Sequence, residues 1–183
     1  MAPIPPLPLF ITLLLSATAA TAASTQPIPA LILKACNHTG SNLHNLCISS
    51  LSAESPPHNA DLRQLSIIAV RIAAENASQT AAYLSARQTD AADDPIVYQC
   101  VSDCTDLYID VVDQLDTTTA AIDDEADKDA VKWLEAAVAD VISCENECGE
   151  VATAEIRRRN DGAKKLLNIS LSFAKLLMTQ KKL

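Results

Sequence analysis

Glycine is scarce in this chain, with three among 183 residues. No segment shows the strict alternation of apolar and polar residues that marks half-buried β-strands. Alanine, by contrast, is abundant, and helices tolerate it better than any other residue. The composition therefore predicts an all-α fold.

Histidine is also scarce, and His38, His44 and His58 all lie in the first third of the chain. The sequence contains no Gly-x-Ser-x-Gly segment, no phosphate-binding loop and no histidine cluster of the kind that binds metals. We therefore expect no catalytic residue, no cofactor and no metal site, and the protein is not predicted to be an enzyme.

Long apolar runs are missing too, because no segment after the N-terminus reaches the roughly 18 apolar residues of a membrane span. The N-terminal run 7–15 is shorter, and small residues with Ala-x-Ala spacing follow it, which is typical of a secretory signal peptide. We expect a signal peptide over 1–22, cleaved after Ala22 or Ala23. The mature product is predicted to be soluble and exported, without a membrane partner.

Positive charge is in the minority, and the formal net charge is −9. A chain this acidic is a poor ligand for nucleic acid and a suitable partner for a basic protein. Asp103, Asp106, Asp110 and Asp113 recur at helical spacing, opposite an apolar stripe. Two interpretations stay open for them: a solvated helix face, or a docking face for a basic enzyme.

Residues 23–58 are broken into short pieces. A short helix over 30–36, a turn rich in Asn, Gly and Ser, and a second short helix over 43–51 predict a helical hairpin. Cys36 and Cys47 flank the turn, so we expect the hairpin to carry its own disulfide.

Residues 59–183 show the periodicity of long amphipathic helices. We predict helices over 59–87, with Asn59 as the cap, over 95–115, over 129–149, and after the segment 160–162. Four such helices with short connections predict an up-down-up-down four-helix bundle. The predicted inward residues are Leu62, Leu65, Ala69, Ile72, Asn76 and Tyr83; Val97, Val101, Cys104, Tyr108, Val111 and Leu115; Val131, Leu134, Val138, Val141 and Cys148; and Leu166, Ile169, Phe173 and Leu176 or Leu177.

The other four cysteines form two Cys-x3-Cys pairs, Cys100 with Cys104 and Cys144 with Cys148. In two antiparallel helices, residues at the same level have residue numbers with a constant sum. That sum is 248 both for Cys104 with Cys144 and for Cys100 with Cys148, and half of it falls at Asp124, inside a predicted connection. We therefore predict two nested disulfides between these helices, in addition to Cys36–Cys47.

A four-thiolate zinc site is the alternative for these cysteines, but export favours oxidation and structural zinc sites usually have closer cysteine spacing. A bridge within one Cys-x3-Cys pair would need Cβ atoms about 3.8 Å apart, closer than residues one helical turn apart lie. On the chain-entropy model, Cys104–Cys144 closes a loop of about 40 residues and stabilises by about 4 kcal/mol. Cys100–Cys148 should add less once that loop is closed.

Three segments match the N-glycosylation sequon: Asn37-His-Thr, Asn76-Ala-Ser and Asn168-Ile-Ser. We take Asn37, in a turn, and Asn76 as candidate glycosylation sites. Asn168 borders the core face of its helix, and we expect no glycan there. The three arginines 157–159 form a basic cluster that either complements the end of the third long helix or contacts a partner.

A known family is recognisable in the segments CNHTGSNLHNLC, ADLRQLSIIAVRIA, DCTDLYIDVVDQL, DAVKWLEAAVADVISCE and NISLSFAKLL. In this order they resemble the plant invertase/pectin methylesterase inhibitor family, over essentially the whole mature chain. The resemblance implies the bundle fold, one disulfide in the hairpin and one between the second and third bundle helices. Cys36–Cys47 and Cys104–Cys144 match those positions, whereas Cys100 and Cys148 are additional.

The resemblance further implies an inhibitor that docks over an enzyme's substrate cleft and performs no chemistry of its own. WLEAAVADVISC is similar to a segment more typical of pectin methylesterase inhibitors, and DDEADKDAV lacks the Pro-Lys-Phe segment that many invertase inhibitors carry there. We therefore expect a secreted, apoplastic inhibitor of pectin methylesterase, with the vacuole as the other location. The alternatives are an inhibitor of cell-wall or vacuolar invertase and an allergen-type bundle without an enzyme target.

Overall fold

The computed structural model describes residues 29–57 and 59–180. These residues fold into six α-helices and one 3-10 turn without a β-strand, so the predicted all-α fold is confirmed. The predicted signal peptide and His58 lie outside the described residues. The helices are α1 (Ala30–Cys36), α2 (His44–Ala53), α3 (Leu62–Arg87), α4 (Pro95–Asp123), α5 (Asp127–Cys148) and α6 (Ala154–Gln180), and the 3-10 turn, Gly149–Val151, lies between α5 and α6.

Helices α3 to α6 form a four-helix bundle in which each helix packs against two neighbours, α3 on α4, α4 on α5, α5 on α6 and α6 on α3. Successive helices are neighbours joined by short connections, so they run up, down, up and down. The hairpin of α1 and α2 packs on α3. The residues that meet where α2 reaches the bundle are Cys47, Ser50, Leu51, Ala69, Ile72, Leu166 and Ile169.

Helix α3 begins with a capping box rather than at the predicted cap, Asn59. The Asp61 carboxylate accepts the backbone N–H of Gln64 at 2.8 Å, and the Gln64 side chain accepts the N–H of Asp61 at 3.1 Å. The buried stripe of α3 also differs from the prediction along its second half. Ile72, Asn76 and Tyr83 are half-buried, and the buried positions are Ala73, Ala77, Thr80 and Leu84.

Helix α4 begins as expected and ends later than expected. Asp94 accepts the N–H groups of Ile96 and Val97, and Pro95 occupies the first turn. The predicted end at Leu115 is wrong, because the helix continues to Asp123. Thr118 and Ile122 are fully buried in this extension, so tertiary packing holds in helical form a run of threonines that the sequence assigns to a connection.

The α4–α5 connection is therefore only residues 124–126, in which Glu125 has a positive φ of 58°. Asp124, the midpoint of the cysteine numbering, lies in this turn. Helix α5 ends at Cys148 and is followed by Gly149, whose positive φ of 47° favours glycine. Of the inward residues predicted for α5, only Val138 is half-buried, and the others are buried.

Helix α6 begins at Ala154, and the prediction that it starts after 160–162 is wrong. Asn160 is 1% exposed inside the bundle, so the Asn-Asp-Gly segment is part of the helix rather than a break. Ile156, Ala163 and Leu167 are also buried, although they were not among the residues predicted to face inward. Ile169, Phe173 and Leu177 are buried as predicted, whereas Leu166 and Leu176 are half-buried.

Candidate partner-binding face and disulfide clamp

Helices α4 and α5 are joined by two stacked disulfides, Cys100–Cys148 and Cys104–Cys144, which we call the clamp. Their Cα–Cα distances are 4.7 and 4.8 Å, so the two helices approach closely at this level. The third disulfide is Cys36–Cys47, with a Cα–Cα distance of 5.7 Å. These are the three pairs that the sequence predicts, and the sulfurs lie where the constant sum of residue numbers places them.

The clamp also brings together three sulfur atoms, the two of Cys104–Cys144 and one from Cys100–Cys148. Those of Cys104, Cys144 and Cys148 lie within 4.8 Å of one another, a spacing that could suit a metal. All six cysteines are in disulfides, however, and a bridged sulfur is not the thiolate that binds zinc. The arrangement therefore acts as a covalent link between helices.

A buried polar cluster lies directly beneath the clamp. The hydroxyl of Tyr108 donates to Oδ1 of Asn160 on α6 at 2.9 Å, and Nδ2 of Asn160 donates to Sγ of Cys144 at 3.4 Å. Tyr108 is 0% exposed, and this burial, with the nearby Glu145 carboxylate as a smaller cause, raises its pKa well above the usual range. The cluster ties α4, α5 and α6 together at one level of the bundle.

The four aspartates 103, 106, 110 and 113 form what we call the acidic face of α4. Asp106, Asp110 and Asp113 are exposed, and Asp103 is half-buried and accepts a hydrogen bond from Gln99 at 2.6 Å. The opposite side of the same helix supplies Tyr108, Val111 and Leu115 to the core. The acidic face is therefore a solvent-facing row of carboxylates on a helix whose other side is fixed.

Trp133 on α5 is a large aromatic side chain at the surface of the bundle, and this position was not predicted from the sequence. It is 41% exposed. Asp140 is two helical turns further on the same side of the helix, and it accepts a hydrogen bond from Gln114 of α4 at 2.7 Å. In the sequence, Trp133 lies between Val131 and Leu134, two residues that were predicted to face inward.

Each of the three arginines 157–159 is engaged within the molecule. Arg157 donates to the carbonyl of Ala152 in the α5–α6 connection. Arg158 and Arg159 both bind the Glu155 carboxylate, and the hydrogen bond from Arg158 lowers the pKa of that carboxyl. Arg159 also stacks over Tyr83 of α3, with its guanidinium carbon 4.2 Å from the ring centre. The cluster therefore links α6 to α3 and to the connection between α5 and α6.

The three sequons lie in different surroundings. Asn37 is exposed directly after α1, next to the Cys36–Cys47 bridge. Asn76 is half-buried on α3, and its Oδ1 atom is buried without a hydrogen-bond partner. Asn168 donates through Nδ2, the atom that would carry a glycan, to the carbonyl of Lys164 at 2.8 Å.

Residues 30–173 match the family described as plant invertase/pectin methylesterase inhibitor. The chain belongs to this family. Its members are inhibitor proteins and not catalysts, and their partners are pectin methylesterases or invertases.

Individual relatives carry names that point to invertase. A Platanus orientalis protein whose name contains the words "invertase inhibitor" is 26% identical over 136 residues, which are 73% of this chain and 79% of the relative. The Arabidopsis thaliana "Cell wall / vacuolar inhibitor of fructosidase 2" is 29% identical over 118 residues, 64% of each chain.

A solved structure with the same fold is a pectin methylesterase inhibitor. The crystal structure of a mutant form of such an inhibitor from Arabidopsis superposes with a TM-score of 0.66 at 17% identity, covering 77% of this chain and 93% of the other. This similarity shows the fold. None of the helices in the described parts of the chain is long and apolar enough to cross a membrane.

Proposed function

We propose that this protein is a secreted inhibitor of pectin methylesterase that binds its target through the acidic face of α4. The observation that carries the proposal is a row of carboxylates, three of them exposed, on a helix that the clamp fixes to α5. Such a row complements a basic enzyme surface and speeds the encounter. Because the helix is already ordered, binding costs little conformational entropy.

Two observations support pectin methylesterase as the target. The α4–α5 turn is short and acidic, Asp124-Glu125-Ala126, and has no Pro-Lys-Phe segment. The α5 segment that contains Trp133 and ends at Cys144 resembles that of pectin methylesterase inhibitors. The second candidate is inhibition of invertase, which is favoured by the names of the sequence relatives.

An inhibition assay of the purified protein against both enzymes, at acidic and at neutral pH, separates these candidates. We expect pectin methylesterase to be inhibited stoichiometrically and invertase to keep its activity. Inhibition of invertase alone would establish the second candidate. Activity of both enzymes in the presence of excess protein would instead assign the chain to the members without an enzyme target.

The binding face is tested with the double variant Asp106→Asn/Asp110→Asn. Loss of two facing charges should lower the association rate by roughly tenfold and flatten its dependence on salt. The matched control is Asp93→Asn/Asp124→Asn, which removes two exposed charges near the ends of α4 and should bind like the natural chain. Equal affinities and salt slopes for all three proteins would remove the acidic face from the proposal.

We also propose export to the cell wall, or alternatively the vacuole, with a glycan on Asn37. The exposed position of Asn37 supports a glycan there. The hydrogen bond that Nδ2 of Asn168 donates argues against a glycan on Asn168. Asn76 remains a second candidate. Mass spectrometry of the exported protein before and after glycosidase treatment identifies the modified residues, and an unmodified Asn37 would contradict the proposal.

A further inference from the structure

We propose that the clamp is a thiol–disulfide exchange site, in which opening the Cys100–Cys148 bridge by a dithiol leads to transfer of the remaining bond to Cys104–Cys148. The observation behind this is a contact between the two bridges. Sγ of Cys104 lies 3.3 Å from Sγ of Cys148, although the two sulfurs belong to different disulfides.

The bridge that opens first is Cys100–Cys148, because it lies near the helix ends. Cys148 is the last residue of α5, and Cys100 is in the second turn of α4. Terminal turns open locally at lower free energy than the middle of a packed helix. Cys100 and Cys148 are each 2% exposed, whereas Cys104 and Cys144 are 0% exposed beneath them.

The first step is the reduction of this bridge by a dithiol. The dithiol supplies two electrons and two protons, the Cys100–Cys148 bond breaks, and the dithiol becomes a disulfide. Two thiols are left at Cys100 and Cys148. The sulfur of Cys148 is then released from Cys100 but remains beside the second bridge.

The second step is an exchange without net oxidation or reduction. The thiolate of Cys148 attacks Sγ of Cys104, so that a Cys104–Cys148 bond forms while the Cys104–Cys144 bond breaks. Cys144 leaves as a thiolate and takes up the proton that Cys148 gave up. Asn160 stabilises this leaving group, because its Nδ2 already donates to Sγ of Cys144 at 3.4 Å.

The geometry makes the exchange specific to one thiol. Sulfurs must be nearly in line for exchange, and Sγ of Cys144 and Sγ of Cys148 are less than 4.8 Å apart, closer than an in-line arrangement would place them. Cys148 therefore stands to one side, and it can turn into line only after Cys100 releases it. Among the residues that the structure describes, the sulfur of Cys100 is not part of the close group formed by Cys104, Cys144 and Cys148.

Two matched variants of the full chain test the site. In Cys100→Ser, the free thiol is Cys148, beside the remaining bridge; in Cys148→Ser, the free thiol is Cys100, outside the close group. After incubation at pH 8, acid quenching, alkylation and peptide mapping, Cys144 should be labelled at least about tenfold more in Cys100→Ser than in Cys148→Ser. Equal labelling of Cys144 in the two variants would overturn the proposal.

The natural chain supplies a second measurement that does not depend on the folding of a variant. With limiting dithiothreitol, molecules with two free thiols should include a population alkylated at Cys100 and Cys144. Such molecules require the Cys104–Cys148 bond. If all molecules with two labels in the clamp carry them at Cys100 and Cys148, the bond does not transfer and the proposal is wrong.

Discussion

At the residue scale, Tyr108 combines a large buried ring with a polar tip. Its hydroxyl donates a hydrogen bond to Asn160, and Asn160 donates one to the sulfur of Cys144, so one hydrogen-bond network connects three helices. A buried polar network stabilises the fold when each of its groups has a partner.

Tyr108→Phe keeps the ring and leaves Oδ1 of Asn160 buried without its donor. We expect the free energy of unfolding to fall by about 1–3 kcal/mol, the desolvation cost of an unsatisfied polar group. Urea unfolding followed by circular dichroism measures this. Tyr98→Phe is the control, since Tyr98 is 43% exposed and its replacement should change little; equal losses in the two variants would contradict the assignment.

The raised pKa of Tyr108 should also make the folded protein less stable at alkaline pH. Burial raises the pKa of Tyr108 in the folded chain above its unfolded value near 10, so the folded state holds the proton more tightly. The free energy of unfolding is therefore unaffected by this ionisation below pH 10. It decreases as the pH rises above 10, because the unfolded chain then releases the proton and the folded chain does not. Stability measured from pH 9 to 12 should therefore decline less steeply for Tyr108→Phe than for the natural chain.

At the element scale, Arg63 fixes the α4–α5 turn to the first turn of α3. Its guanidinium donates to the carbonyl of Ile122 and to Oδ1 of Asp127, the latter at 2.9 Å. The Asp127 side chain is 3% exposed and that of Arg63 is 23% exposed. One side chain thus connects three helices at the end of the bundle opposite the clamp.

Arg63→Met removes the guanidinium that binds Asp127, the first residue of α5, and the carbonyl of Ile122. We expect the free energy of unfolding to fall by roughly 1–3 kcal/mol, because two partly buried hydrogen bonds from a charged group are lost. Arg71→Met, on the exposed side of α3, is the control. If Arg63→Met and Arg71→Met unfold at the same denaturant concentration, the ion pair does not stabilise the turn.

The helices themselves were predictable from periodicity, but their ends were not. The extension of α4 depends on the burial of Thr118 and Ile122, and the early start of α6 depends on the bond between Asn160 and Tyr108. Both are tertiary contacts, which override the local preference of Thr, Asn and Gly for breaking helices. Asp61 was missed as a cap because Asn59 has the same chemistry two residues earlier.

The features of the candidate site that depend on one helix, or on one pair of helices, could be predicted from the sequence. The cysteine pairs and the aspartates on α4 follow from residue numbers and helical spacing alone. The cluster under the clamp requires Asn160, 52 residues from Tyr108, and the contact between bridges requires atomic positions. Neither leaves a periodic signal in the sequence.

At the scale of the whole molecule, the clamp makes the α4–α5 pair a closed loop. In Cys100→Ala/Cys148→Ala, the bridge Cys104–Cys144 still closes 40 residues. We expect this variant to lose roughly 2–3 kcal/mol and to keep its fold, and removal of all four cysteines to cost about 4 kcal/mol more. Guanidinium unfolding of both variants, with Cys36–Cys47 intact, measures whether the quadruple variant is less stable than the double variant. A quadruple variant as stable as the double variant would contradict it.

The clamp also determines how the molecule would respond to a pulling force applied at its two termini. The load would pass from Cys100 directly to Cys148 through the sulfur atoms, bypassing the 48-residue separation between them. At about 3.5 Å per extended residue, roughly 170 Å of chain would stay shielded from the force. An optical-tweezers experiment should therefore show a long extension step that appears only after a reducing agent opens the clamp.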